Sequence, residues 1–370
     1  MRAPLSRVLL TLALIALGAS AWGVVRTQRP PATLEVPWIE SLKPDAFDDV
    51  HPVLDRWAAA YRIDATVLLP LVFTSVPLVA RDAVGVGSFT AWDTPEDEIT
   101  RVRAYEFFAV SFPERARGLN RLGLVREIIW LTSAGANQTA YFGVISSDWE
   151  THKGAGQALD HYEDLQRYSI IDGLTSASRA SNTMLHLNVA GRWTRATALY
   201  DEVRQRWEGQ KPDFARELSN PDRRTYGEPL GFLGGLQKNL QAVAADVAAG
   251  EDPYEHHRYQ SYVHNGRVLR FELRGVDRDT NRAERYRQTG WLSNPAALRR
   301  LEYRILDNRG DELDHFKLWV ELDAGPVGDP FAGPLVPIAF ELQPRAYLVL
   351  EAVRVGGNAA SWRQQHAGSG

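Results

Sequence analysis

The chain has 370 residues, 44% hydrophobic and 24% charged, a composition that excludes a disordered or fibrous protein and leaves room for two ordinary domains. Its net charge of −4 provides no global basic field for nucleic acid, so no nucleic-acid partner is expected. Cysteine is absent, which removes disulfides, thiolate metal sites, iron–sulfur clusters, cysteine nucleophiles and the lipobox cysteine of a bacterial lipoprotein.

The N-terminus carries the plainest signal. Arg2 and Arg7 precede an uncharged stretch of 18 residues, Val8 to Val25, closed by Arg26. A helix of that length rises about 27 Å, enough for a bilayer core roughly 30 Å thick. The reading is a signal-anchor helix over 1–28 that contacts the lipid bilayer through 8–25, with Arg7, Trp22 and Arg26 at the membrane interfaces. The competing reading is a cleaved signal with Ala19-Ser20-Ala21 as its small-residue cleavage site. Both deliver the rest of the chain out of the cytoplasm. The expected location is the bacterial inner membrane with the soluble part in the periplasm. Residues 29–45 follow as an extended linker, opened by Arg29-Pro30-Pro31.

Beyond the linker, 48–63 predicts a short amphipathic helix, with Leu54, Trp57, Ala58 and Tyr61 at helical spacing. Thr66 to Ala80 is apolar but broken by Pro70 and Pro77, and reads as strands. From Val84 to Ser147, β-rich runs alternate with turn residues and predict an antiparallel meander, interrupted by one short helix after Ser111-Phe112-Pro113-Glu114. The run Ala104 to Phe112 is apolar on both sides, so its sheet needs cover on both faces. Two helices are predicted next, Thr194 to Glu208 and about Leu230 to Ala249. The second has Leu233, Leu236, Leu240, Val243 and Val247 on one stripe, Gly250 just beyond its end, and a Gly234-Gly235 pair that marks close packing.

After Tyr259 the pattern turns to period two, with His264-Asn265-Gly266 and Asn308-Arg309-Gly310-Asp311 as hairpin turns. Leu269, Phe271 and Leu273 alternate with Arg270, Glu272 and Arg274; Leu301, Tyr303 and Ile305, and then Phe316, Leu318, Val320 and Leu322, repeat the pattern. With Pro337 to Leu342 and Tyr347 to Val355 this predicts six antiparallel strands with one apolar and one wet face. The 230–249 helix carries the stripe to cover that apolar face. Otherwise the sheet curls around a hydrophobic ligand. The fold class is therefore α+β: a single N-terminal membrane helix, then two mainly antiparallel β-sheet domains, 46–225 and 226–356, with a few packed helices and a disordered tail over 357–370.

No catalytic signature stands out. There is no G-x-S-x-G elbow and no S-x-x-K motif, so the chain leans away from enzymes, with an exported hydrolase of unrecognised site kept as an alternative. Two sets hold metal-ligand chemistry: His256-His257 with Glu255, and Asp160-His161 with Asp164. Adjacent histidines on a strand diverge and the second set has a single histidine, so no metal and no cofactor are expected. Eleven tryptophans suggest aromatic interface anchors. Trp291, Trp319 and Phe331 are the residues expected to contact a partner or ligand, although Trp319 falls on the wet side of its strand. The functional expectation is a membrane-tethered, non-catalytic accessory or scaffold subunit docking on a membrane protein complex, or alternatively a periplasmic binder of a lipid or other hydrophobic ligand.

Overall fold

The computed structural model describes residues 55–70, 75–95, 101–111, 124–133, 139–148, 166–175, 186–189, 205, 230–264, 267–288, 292, 294–322, 333–345 and 348–357. The membrane segment, the linker, the predicted helix over 194–208 (apart from Gln205, which is helical) and the 111–118 helix (apart from Ser111) lie outside them. No helix among the described residues is long and apolar enough to cross a membrane.

The strands are β1 Asp55–Pro70, β2 Ser75–Pro95, β3 Arg101–Ser111, β4 Leu124–Ser133, β5 Thr139–Asp148, β6 Gln166–Thr175, β7 His186–Val189, β8 Leu230–Gly231, β9 Tyr259–His264, β10 Arg267–Arg278, β11 Leu298–Leu306, β12 Glu312–Glu321, β13 Ala339–Arg345 and β14 Leu348–Gly357. Among the described residues the helices α1 Phe232–Ala249, α2 Pro253–His256 and α3 Thr280–Gln288 accompany them, with a 3-10 turn at Pro295–Ala297. The protein is thus mostly antiparallel β-sheet with few helices.

The predicted helix at 48–63 is a correction, because its second half is strand β1. Trp57, Ala59, Tyr61, Ile63 and Ala65 alternate at period two and are all buried, flanked by β2 on one side and β14 on the other. Trp57 and Tyr61 are four residues apart and satisfy helical spacing and strand alternation alike; pairing on both edges decides between them.

The two expected sheets are one. Strands β1 to β7 run outward in sequence order from one side of β1, and β14 back to β8 run outward from its other side, so the β1–β14 ladder joins both meanders in a 14-stranded sheet. All of these pairings are antiparallel except the short parallel contact of β8 with β9. The meander from 84 to 147 and the six final strands, with β9 paired to β10 from His264 and Arg267 onward and a turn after Leu306, stand where the alternation puts them. At the start of the run expected to be covered on both faces, Val102, Arg103, Ala104, Tyr105 and Glu106 are consecutive and all buried.

α1 lies against the apolar inner face. Leu236, Leu240, Val243 and Ala244 pack with Tyr262, Phe271, Leu273, Leu301, Tyr303, Phe316 and Leu318 from β9 to β12. At its N-terminal end Leu233 joins a second cluster, with Trp57, Tyr61, Phe89, Tyr105 and Ile129 from β1 to β4. Phe232 packs against both clusters, so one helix bridges the two arms of the sheet. At Gly235, which faces β9, an added Cβ would stand 3.4 Å from the Ser261 carbonyl oxygen, an ordinary contact. At the other end Gly250 takes φ +75 and turns the chain out of the helix, a conformation in which a side chain is strained.

Candidate functional site

Among the described residues Asp93, Arg103 and Glu127 penetrate the inner face and are tied into it. Asp93 and Arg103 are directly opposed on β2 and β3, form a buried ion pair, and leave the guanidinium carbon 4.9 Å from the centre of the Trp57 ring. Burial works to lower the Arg103 pKa, but the hydrogen bond and charge of Asp93 outweigh it and hold it raised. On β4, Glu127 is wholly desolvated, which pushes its carboxyl up to about 8 against the opposing pull of backbone N–H groups of Leu233 and Phe232. Its Oε1 accepts from Leu233 N at 2.9 Å, so a side chain from across the sheet caps α1, where Gly231 at the N-cap position offers none.

The outer face is organised by charge. Glu272 on β10 is 2% exposed and is gripped by Arg304 at 2.6 Å on Oε2 and by Arg258 and, at 3.3 Å, Arg274 on Oε1. Burial works to raise this carboxyl, but Arg258 and Arg304 prevail and hold it at about 2. Further along the same face, α3 covers the sheet with Ala283 and Tyr286 over Leu298, Trp319, Ile338 and Ala339.

A third cluster sits at the C-terminal end of α1. Asp246 occupies the last turn of that helix, Glu251 follows the Gly250 cap, and α2 then returns His256 and His257 to the same place. Asp252 caps α2 by accepting from Tyr254 N at 2.9 Å. Asn239 of α1 donates to the His257 carbonyl at 2.9 Å and accepts from the Tyr303 hydroxyl at 2.8 Å, which ties the histidine backbone to the core. Around the Asp246 Oδ2 atom stand His257 Nε2 at 3.5 Å and His256 Nδ1 at 3.7 Å, with Glu251 Oε2 3.9 Å from His256 Nδ1. The expected divergence of the two histidines is corrected here: they end a helical turn and are not in a strand, and both reach one carboxylate. Sequence reading paired them with Glu255 and missed Asp246 and Glu251. The available signal was an aspartate four residues before a helix-ending glycine, with nothing basic in that last turn.

Of the residues expected to meet a partner or ligand, Trp291 and Phe331 lie outside the described residues. Trp319 is on the outer side of its strand but is 3% exposed. The guanidinium of Arg282 stacks 3.7 Å above its ring, and its indole N–H donates to Asp279 at 2.9 Å. The wet placement fails because α3, which period-two counting did not anticipate, lies over it. Arg7, Trp22, Arg26 and the set Asp160, His161 and Asp164 lie outside the described residues.

No family model matches the chain, and no curated protein matches it. Among solved structures it is similar to a β-barrel-like protein of the domain of unknown function DUF1849 from Brucella abortus, with 8% sequence identity and a TM-score of 0.33 over 84% of this chain and 98% of that one.

Proposed function

We propose that this protein works on the periplasmic side of the bacterial inner membrane as a tethered, non-catalytic accessory subunit that docks on a membrane protein complex. The 8–25 segment supplies the tether in this reading. The observation that carries the docking role over lipid binding is the position of α1. Its Leu236, Leu240 and Val243 are each 2% exposed or less and lie on the apolar face that a hydrophobic ligand would need. Among the described residues of that face, Asp93 and Arg103 are engaged with each other and Glu127 with the α1 backbone, an arrangement that serves cohesion.

The test is mild detergent solubilisation of native membranes followed by native electrophoresis and lipid extraction of the purified protein. Migration well above the mass of one 41.4 kDa chain, with a lipid-poor extract, is the expected outcome. A lone chain carrying a stoichiometric lipid would replace this reading with the hydrophobic-ligand one. Removing residues 1–28 should release the protein from the membrane fraction.

A further inference from the structure

Asp246 is placed where a carboxylate is least at ease. It is 7% exposed, its Oδ2 has no hydrogen-bond partner among the described residues, and it sits in the last turn of α1, where the helix dipole is negative and opposes an anion. No basic residue in that turn answers the charge. The groups facing the bare oxygen from the following segment are the ring nitrogens of His256 and His257, with the Glu251 carboxylate beside His256. A metal ion there would satisfy the oxygen and the dipole together.

We propose that Asp246, Glu251 and His256 form a binding site for a divalent transition-metal ion of the zinc class, with a solvent-filled fourth position. Their ligand atoms all lie within 4.8 Å of one another. A tetrahedral ion with bonds of about 2.0–2.2 Å to nitrogen and oxygen separates its donors by roughly 3.3–3.6 Å. The observed 3.7 Å and 3.9 Å separations close to that span by small side-chain rotations. Glu251 and His256 are 59% and 54% exposed on their side chains, so ions have an entry path and the ligands have room to move, whereas Asp246 is fixed. One imidazole among two carboxylates selects zinc-like ions over magnesium or calcium, which prefer all-oxygen shells. His257, whose backbone carbonyl is held by Asn239, sets a second imidazole nitrogen 3.5 Å from the same Asp246 oxygen. The ion would pin α2 and the start of β9 to the C-terminal end of α1.

Untagged full-length protein, stripped with chelator and dialysed against Zn2+, tests this by metal analysis and calorimetry. One Zn2+ per chain is expected, with Mg2+ failing to compete. His256→Ala and Asp246→Asn should each weaken binding at least about tenfold. His256 is half exposed, so its replacement removes a ligand without opening the core, and the thermal shift that Zn2+ gives the wild type should vanish in that variant. The site is refuted if the wild type takes up no Zn2+, or if both variants bind it as tightly as the wild type does.

Discussion

Glu127 shows how a single buried residue sets the chain's response to pH. Its carboxyl is raised to about 8 by desolvation, so between its ordinary value of 4.5 and that point the folded state holds a proton that the unfolded state has released. Stability contributed by this group is therefore greatest at the acidic end of that window and declines as pH rises through it. Glu127→Gln keeps an oxygen to accept from Leu233 N and removes the titration. Urea melts should then show the variant gaining on the wild type by about 1 kcal/mol or more at pH 8 relative to pH 5. Parallel curves for the two proteins would show that Glu127 does not titrate in this range. Neither this cap nor the clasp of Asp93 on Arg103 could be read from the sequence. A glutamate in a strand, 106 positions from the amide it caps, carries no local mark of its partner.

At the scale of elements, period two was legible wherever one face was apolar and the other wet, which is why the strands from Tyr259 onward are found as predicted. In β1, where small and aromatic residues fit two periods, helical spacing masked it, and at Trp319 it misled because a polar helix hides the outer face. α3 has the sequence Thr-Asn-Arg-Ala-Glu-Arg-Tyr-Arg-Gln, with too little apolar patterning to announce a packed element. The glycines around α1 separate two kinds of constraint. At Gly231 an added Cβ would meet Glu127 Oε1 at 2.7 Å, whereas at Gly235 the nearest atom is at 3.4 Å, an ordinary contact. Gly231→Ala should therefore destabilise the protein by about 1–3 kcal/mol, by displacing the buried cap. Gly235→Ala should leave stability unchanged or raise it by up to about 1 kcal/mol through helix propensity. Denaturant melts of the two variants check the contrast, and equal losses would mean that α1 sits closer to β9 than described.

On the scale of the whole molecule, the ladder between β1 and β14 makes the two meanders one sheet, and α1 bridges its arms through Leu233 on one side and Leu236 and Leu240 on the other. Unfolding should then be a single cooperative event. Tryptophan fluorescence and far-ultraviolet circular dichroism are expected to give coincident urea transitions; two separated transitions would restore the picture of independent halves. The strand-rich character, the meander order within each half, the helix ending at Gly250 and the absence of disulfides are written in the order of residues alone, because local alternation, turn residues and composition act over a few neighbours. Long-range packing was needed to join the halves in a sheet, to set Glu127 as the cap of a distant helix, to cover Trp319 and to bring two histidines together at Asp246. Each of these is a contact between groups separated along the chain or turned by an unforeseen helix, and the free energy that selects such contacts arises only when both surfaces leave water together.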